Sequence, residues 1–174
     1  KTTIVRSLLQ EGLNLRFSVS ATTRPRRDGE KHGREYYFLP KKLFQRHIDN
    51  GDFIEYEEVY EGHLYGTLKH AVDHLLETGA NVVFDIDVMG GLNIKKIYQE
   101  MALAIFVMPP DLEVLKQRLK KRGTENETSL AKRLEKAEWE LKFAAMFDRV
   151  VINNDLNTAM SEVKSIVKTF INGG

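Results

Sequence analysis

The sequence predicts an α/β protein: a parallel sheet flanked by helices, with a small mixed β lobe inserted into it and a helical lid. Three observations carry this. Residues 81–174 alternate apolar strand and helix, the order that a parallel sheet with crossover helices requires. Residues 34–67 instead hold short strands and a hairpin signal, as a small mixed β insert does. A polar break at Glu125 to Thr128 falls between two arginine-bearing helices, so residues from about 119 to 135 suit a charged lid.

The elements follow in order. Thr3 to Gln10 reads as a helix with Ile4, Leu8 and Leu9 on one face and Gly12 as its stop. Leu15 to Ser20 alternates like a strand. Ala21 to Gly33 is polar, basic and punctuated by Pro25, Gly29 and Gly33, which predicts a loop. A short strand over Tyr36 to Leu39 precedes a helix over Lys41 to Asn50, closed by Gly51. Phe53 to Tyr60 and His63 to Tyr65 flank Glu61-Gly62 as a hairpin, and Leu68 to Thr78 is the next helix. Asn81 to Ile86 is an apolar strand, with a helix expected after Gly90-Gly91. Leu103 to Met108 is a buried strand halted by Pro109-Pro110, and Asp111 caps a helix that reaches Arg122. A long helix from about Ser129 to Phe147, the strand Val150 to Ile152 and a last helix to about Ile171 complete the chain.

Composition limits what these elements serve. The chain has 174 residues, 42% hydrophobic and 29% charged, enough for one domain with a core and small subdomains. A net charge of +1 gives no argument for bulk nucleic-acid binding, so an anionic ligand needs a local basic cluster. The absence of cysteine excludes disulfides and thiolate metal sites. No apolar run approaches the roughly 20 residues of a membrane span and no signal peptide is visible, so a cytoplasmic location without membrane partners is expected. His70 and His74 have the i, i+4 spacing of zinc ligands, but no carboxylate completes an H-E-x-x-H pattern and no third ligand is evident; they read as solvated helix side chains.

Several segments bring anion-binding chemistry together. Lys1-Thr2-Thr3 stands directly before a helix, as does the tail of G-x-x-x-x-G-K-[ST], whose lysine reaches phosphates and whose hydroxyl meets Mg²⁺. An ordinary helix start would use the same three residues. Thr22-Thr23-Arg24-Pro25-Arg26-Arg27 concentrates three guanidinium groups, which match phosphate oxygens in forks, and Tyr36 adds a neutral donor. Glu55 interrupts an apolar strand, Tyr65-Gly66-Thr67 follows it, and Asp85 and Asp87 end another strand where open α/β folds bind ligands. Asp87 also suits a helix N-cap. Arg118, Arg122 and Arg133 flank the polar break, where cations can close over phosphates or simply be solvated.

In this order the motifs resemble those of guanylate kinases over essentially the whole chain. The resemblance rests on Ser18-Val19-Ser20, Thr22-Thr23-Arg24 with Arg27, Gly33-Arg34-Glu35-Tyr36, Phe53-Ile54-Glu55, Tyr65-Gly66-Thr67, Asp85-Ile86-Asp87, Arg122-Gly123-Thr124-Glu125 and Asn153-Asn154-Asp155. It implies a P-loop NTPase-like fold whose core (1–33 and 68–174) carries the lid, with residues 34–67 as a GMP-binding lobe. The implied reaction is phosphoryl transfer from ATP to GMP with Mg²⁺. Ser20, Glu55 and Thr67 are implied near the guanine, where a carboxylate takes the N1–H and 2-amino donors and a hydroxyl serves O6; adenine would leave buried groups unpaired. Arg24, Arg27, Tyr36 and Tyr65 are implied at the GMP phosphate, with Asp85 beside them. Lys1, Thr2, Thr3, Arg118, Arg122 and Asn153 are implied on the ATP side, Thr2 as the metal ligand, and catalytic roles fall to Lys1, Arg24, Arg122 and Arg133.

Two departures stand out. Met89 occupies a place where the family commonly has Gln, and Pro25 follows Arg24 directly. Residue 1 opens a helix with no strand before it, so a first strand and the P-loop glycines are expected upstream, roughly 10–20 residues. A guanylate-kinase-like module that binds phosphopeptides without catalysis is the alternative; Lys1-Thr2, Asp85-Ile86-Asp87 and the arginine-rich lid speak for the enzyme. A homodimer stays open.

Overall fold

A computed structural model describes residues 1–60, 62–121 and 127–173. The chain divides into two compact units, one of Val5–Gln99 and one of Lys1–Ile4 with Glu100–Gly174. The helix α1 (Thr2–Leu9) begins in the second and runs into the first, and its buried residues are Ile4, Val5 and Leu8, a single stripe at helical spacing.

In the unit Val5–Gln99, β1 (Leu15–Phe17) lies parallel to β6 (Asn81–Val83), with Leu15 opposite Asn81 and Phe17 opposite Val83. Two asparagine amides hold this register: Asn14 Nδ2 donates to the Gly79 carbonyl at 2.9 Å and Asn81 Nδ2 to the Leu13 carbonyl at 3.0 Å. Strand pairing stops at Val83, whose carbonyl accepts from the Ser18 N–H at 3.0 Å, so Phe84 to Ile86 leave the ladder that the apolar run predicted for them.

A mixed sheet follows in the order β3-β2-β5-β4, made of β2 (Ala21–Thr22), β3 (Tyr37–Phe38), β4 (Phe53–Tyr60) and β5 (His63–Leu68). The predicted loop over Ala21 to Gly33 therefore begins as a strand. Composition hid it because Thr22 and Thr23 are polar, yet Thr22 is fully buried and donates through Oγ1 to the Leu64 carbonyl at 3.0 Å. Ala21, Phe44 and Leu68 form the centre of this lobe's core, with Tyr37, Leu39, Ile48 and Phe53 packed against it. Phe44 is the buried residue of α2 (Lys41–Asp49) and stacks on Phe53 with ring centroids 4.4 Å apart. Helix α3 (Lys69–Glu77) buries Val72 and leaves His70 and His74 exposed.

Helix α4 (Val88–Tyr98) departs from the expected start after Gly90-Gly91. Asp87 caps it instead, its Oδ1 accepting from the Gly90 N–H at 2.9 Å, so both glycines lie inside the first turn. Gly90 packs closely here: an added Cβ would lie 3.3 Å from Glu55 Cγ, Ile86 Cδ1 and Asp87 Oδ1, so those side chains would have to give by a few tenths of an ångström.

In the other unit, β7 (Ile105–Met108) and β8 (Arg149–Ile152) pair in parallel, Ile105 opposite Arg149 and Met108 opposite Ile152. The connection contains α5 (Leu112–Lys121) and α6 (Glu127–Leu141), the long crossover that parallel strands need. Asp111 Oδ1 accepts from the Val114 N–H at 2.7 Å as predicted of a cap. The long helix expected to reach Phe147 ends at Leu141, and a 3₁₀ turn over Ala144–Met146 leads into β8. Asp155 caps α7 (Leu156–Ile171), which buries Ala159 and Val163. The α/β architecture with parallel strands and a small mixed lobe is the one the sequence predicts. Among the described residues, no helix is long and apolar enough to cross a membrane.

Candidate active site

The strand pair β4·β5 places the first group of predicted residues. Glu55 and Thr67 are register partners, so their side chains emerge side by side on one face of the ladder. Thr67 is 1% exposed and its hydroxyl donates to Glu55 Oε1 at 2.5 Å. Burial pushes the Glu55 carboxyl above its usual value, the Thr67 hydrogen bond works against that shift, and the negative charge of Asp87 adds to it. Gly66, between Tyr65 and Thr67, permits the pairing: an added Cβ would fall 2.8 Å from the Glu55 carbonyl oxygen and 2.9 Å from Phe53 Cδ1 and Tyr56 Cβ. The result is a buried acid with an attached hydroxyl, a constellation suited to two adjacent N–H donors and an acceptor.

The second group gathers on the loop after β2. Two reciprocal bonds tie its root to β5: Thr23 N–H donates to the Leu64 carbonyl at 2.9 Å, and Leu64 N–H to Thr23 Oγ1 at 2.9 Å. Arg24 then lies with its guanidinium carbon 5.4 Å from the Tyr36 ring centroid and 5.5 Å from that of Phe38. Tyr36 meets Tyr65 edge to face at 5.7 Å. Thus Arg24, Tyr36 and Tyr65, distant in sequence, form one cluster. Burial raises the Tyr36 hydroxyl above its ordinary value. Arg24 is also gripped by Glu30: Nη1 donates to Oε2 at 2.9 Å and Nη2 to Oε1 at 2.7 Å. That fork raises the arginine's proton affinity and holds the Glu30 carboxyl down to about 2. Arg27 presents an exposed side chain on the same loop, and Ser20 is half-buried at its start, its carbonyl accepting from the Tyr37 N–H at 2.9 Å.

Sequence reasoning missed Glu30 and Phe38. A carboxylate three residues beyond Arg27 in a basic loop was the available signal for the first; the second was hidden in a short strand read only for its apolar pattern. Asp85 is half-buried just past β6, and its charge bears on Tyr36. Asp87 performs the capping role, and Met89 is exposed on the first turn of α4.

In the unit containing β7 and β8, Arg118 on α5 donates through Nη1 to the Asn153 carbonyl at 2.8 Å and through Nη2 to the Asn154 carbonyl at 3.0 Å. Asn153 in turn donates its N–H to the Met108 carbonyl at 2.7 Å. Arg133 is exposed on α6. Lys1, Thr2 and Thr3 are exposed at the start of α1. Arg122 lies outside the described residues. Among the described residues there is no group of three or more His, Cys, Asp or Glu able to hold a metal ion.

The guanylate kinase family model matches residues 1–170. A guanylate kinase of Bacteroides thetaiotaomicron is 53% identical over 99% of this chain and 84% of its own length. That of Thermotoga maritima is 43% identical over 97% of this chain and 81% of its own. The crystal structure of guanylate kinase from Anaplasma phagocytophilum superposes with a TM-score of 0.76 at 30% identity, covering 97% of this chain and 80% of that one. The family model, the relatives and the shared fold define a nucleoside monophosphate kinase. Within that class, the chain belongs to the guanylate kinase family.

Proposed function

We propose that the protein transfers the γ-phosphoryl group of ATP to GMP, giving ADP and GDP. The observation that carries this reading is the buried Glu55 carboxyl joined to the Thr67 hydroxyl. In its charged form Glu55 accepts from the N1–H and 2-amino groups of guanine, with Thr67 and Ser20 as hydroxyl partners. Adenine offers no such pair of donors and would leave the carboxylate buried and unpaired, a basis for strong rejection. Arg24, Arg27, Tyr36 and Tyr65 hold the GMP phosphate, Asp85 lies beside them, and the cytoplasm is the expected compartment.

Lys1, Thr2 and Thr3 meet the ATP phosphates at the start of α1, where the helix dipole favours anions. Arg133 and Arg122 offset charge on the transferring group, and Arg118 shapes the Asn153 loop against the adenine. The Thr2 hydroxyl is a hard oxygen donor, which fits Mg²⁺, an ion that takes few protein ligands and keeps water and phosphate oxygens. When bound, Mg²⁺ neutralises charge across the β- and γ-phosphates. The chain's own residues contribute position, charge and exclusion of water rather than covalent chemistry.

ADP formation followed with ATP and each nucleoside monophosphate tests the reading. Turnover with GMP and little with AMP is the expected result. Tight phosphopeptide binding without GMP-dependent turnover would establish the non-catalytic module instead.

A further inference from the structure

The arginine loop contains a carboxylate that recognition of GMP does not itself call for. Glu30 fills the Nη1–Nη2 edge of Arg24 with both its oxygens, and Oε2 also accepts from the Arg27 backbone N–H at 2.7 Å. Arg24 Nη1 donates in addition to the Pro25 carbonyl at 2.7 Å. The side chains of the pair are only 10% and 19% exposed. One residue therefore fixes two of the loop's three arginines, Arg24 through its head group and Arg27 through its main chain.

An acidic group on a phosphate-binding arginine has two opposite meanings. It can compete with the incoming phosphate, or it can aim the arginine at it. A guanidinium has five N–H donors. Glu30 and the Pro25 carbonyl take both hydrogens of Nη1 and one of Nη2. The Nε–H and the second Nη2–H form the other fork of the same plane, and the Tyr65 hydroxyl is a further hydrogen-bond partner of the guanidinium. An incoming phosphate can use that fork without breaking the Glu30 contact. Displacing Glu30 would instead break three charge-assisted or backbone bonds and leave a partly buried carboxylate without its partner, the costlier course. The flanking Tyr36 and Phe38 rings restrict the plane further.

We propose that Glu30 is a positioning residue for the acceptor phosphate: it holds the Nη1–Nη2 edge of Arg24 and the main chain at Arg27 so that the Nε–Nη2 edge and the Arg27 side chain form one preset receptor for a phosphate monoester. The proposal rests on the reading of Arg24 and Arg27 as GMP phosphate ligands. Its test compares wild type, Glu30→Ala and Glu30→Gln in the full protein. Steady-state kinetics give KM for GMP and for ATP, calorimetry gives GMP and guanosine affinities, and thermal melting checks folding.

Glu30→Ala should raise the KM for GMP about tenfold or more, the loss expected when a charge-assisted contact is no longer aligned. The KM for ATP and the affinity for guanosine should stay unchanged. Glu30→Gln, which keeps one acceptor oxygen, should recover part of the loss. An unchanged GMP KM, or one that falls because a competitor has been removed, overturns the proposal. So does an equal weakening of guanosine and ATP, which would mark damage to the fold. Wild-type protein without GMP-dependent turnover overturns the reading of the site, and the proposal with it; an unaltered GMP affinity in an active background overturns the proposal alone.

Discussion

The unit Val5–Gln99 and the unit built on β7 and β8 treat their candidate ligand groups in opposite ways. In the first, Glu55, Thr67, Arg24, Tyr36 and Tyr65 are half-buried or buried, and each already touches another member of the site. In the second, Arg133 is an exposed cation on a helix, and the guanidinium of Arg118 is bound to main-chain carbonyls. A pocket assembled before its ligand arrives supplies selectivity, because a wrong ligand leaves desolvated groups unpaired. Exposed cations supply charge when the ligand brings phosphates to them. On the proposed reading, selection of the nucleotide falls mainly to the first unit and charge compensation at the transferring group mainly to the second.

The largest expected effect would break that division if it failed. Arg133→Ala should lower kcat by about a thousandfold, the lower end for an arginine that acts on a transferring phosphoryl group, with the KM for GMP little altered. Steady-state kinetics at saturating ATP would show it, and a rise in GMP KM with intact kcat would assign Arg133 to binding instead. Next in size, Glu55→Ala should raise the KM for GMP about ten- to a hundredfold through loss of a charged hydrogen bond, leaving the KM for ATP nearly constant. An unaltered GMP KM would remove Glu55 from the base pocket.

The smallest effect sharpens the comparison through protons. Burial raises the Glu55 carboxyl in the folded protein, so the folded state holds this proton more tightly than the unfolded chain. Its contribution to stability is therefore full below the ordinary glutamate value of 4.5 and is lost as pH rises through the raised folded value. Binding has the opposite sign, because guanine's donors need the carboxylate. GMP affinity should improve as pH rises through that window, and calorimetry in buffers of different ionisation enthalpy should detect proton release there. Glu55→Gln should abolish the release; an unchanged release in that variant would trace it to another group.

Much of this was legible in the sequence because burial and capping leave marks on residue type. The apolar runs at 81–86 and 103–108 announced strands, observed over 81–83 and 105–108, and Asp111 announced a helix start. Glu55 stood out as an acid within an apolar strand and Thr67 as part of the Tyr65-Gly66-Thr67 motif, but only the register shows that they touch. What stayed hidden was set by tertiary partners. Thr22 is polar yet fully buried, since its hydroxyl has a carbonyl to serve in β5, and no local pattern reports that. Gly90 read as a loop signal because local propensity cannot see Glu55 packed against it. Glu30 looked like one charge among many in a solvated loop until the fork with Arg24 gave it a partner.

The grip of Arg118 on residues 153 and 154 has a corollary. It reads carbonyl oxygens, which every amino acid carries, so the anchorage is indifferent to which side chains occupy those two positions. The anchorage therefore leaves those side chains free for the ligand while the loop's path stays pinned. Position 118 has no such latitude: lysine would offer a point charge in place of a planar fork and could not span two neighbouring carbonyls in the same way. A lysine at 118 should therefore loosen this loop whatever side chains stand at 153 and 154.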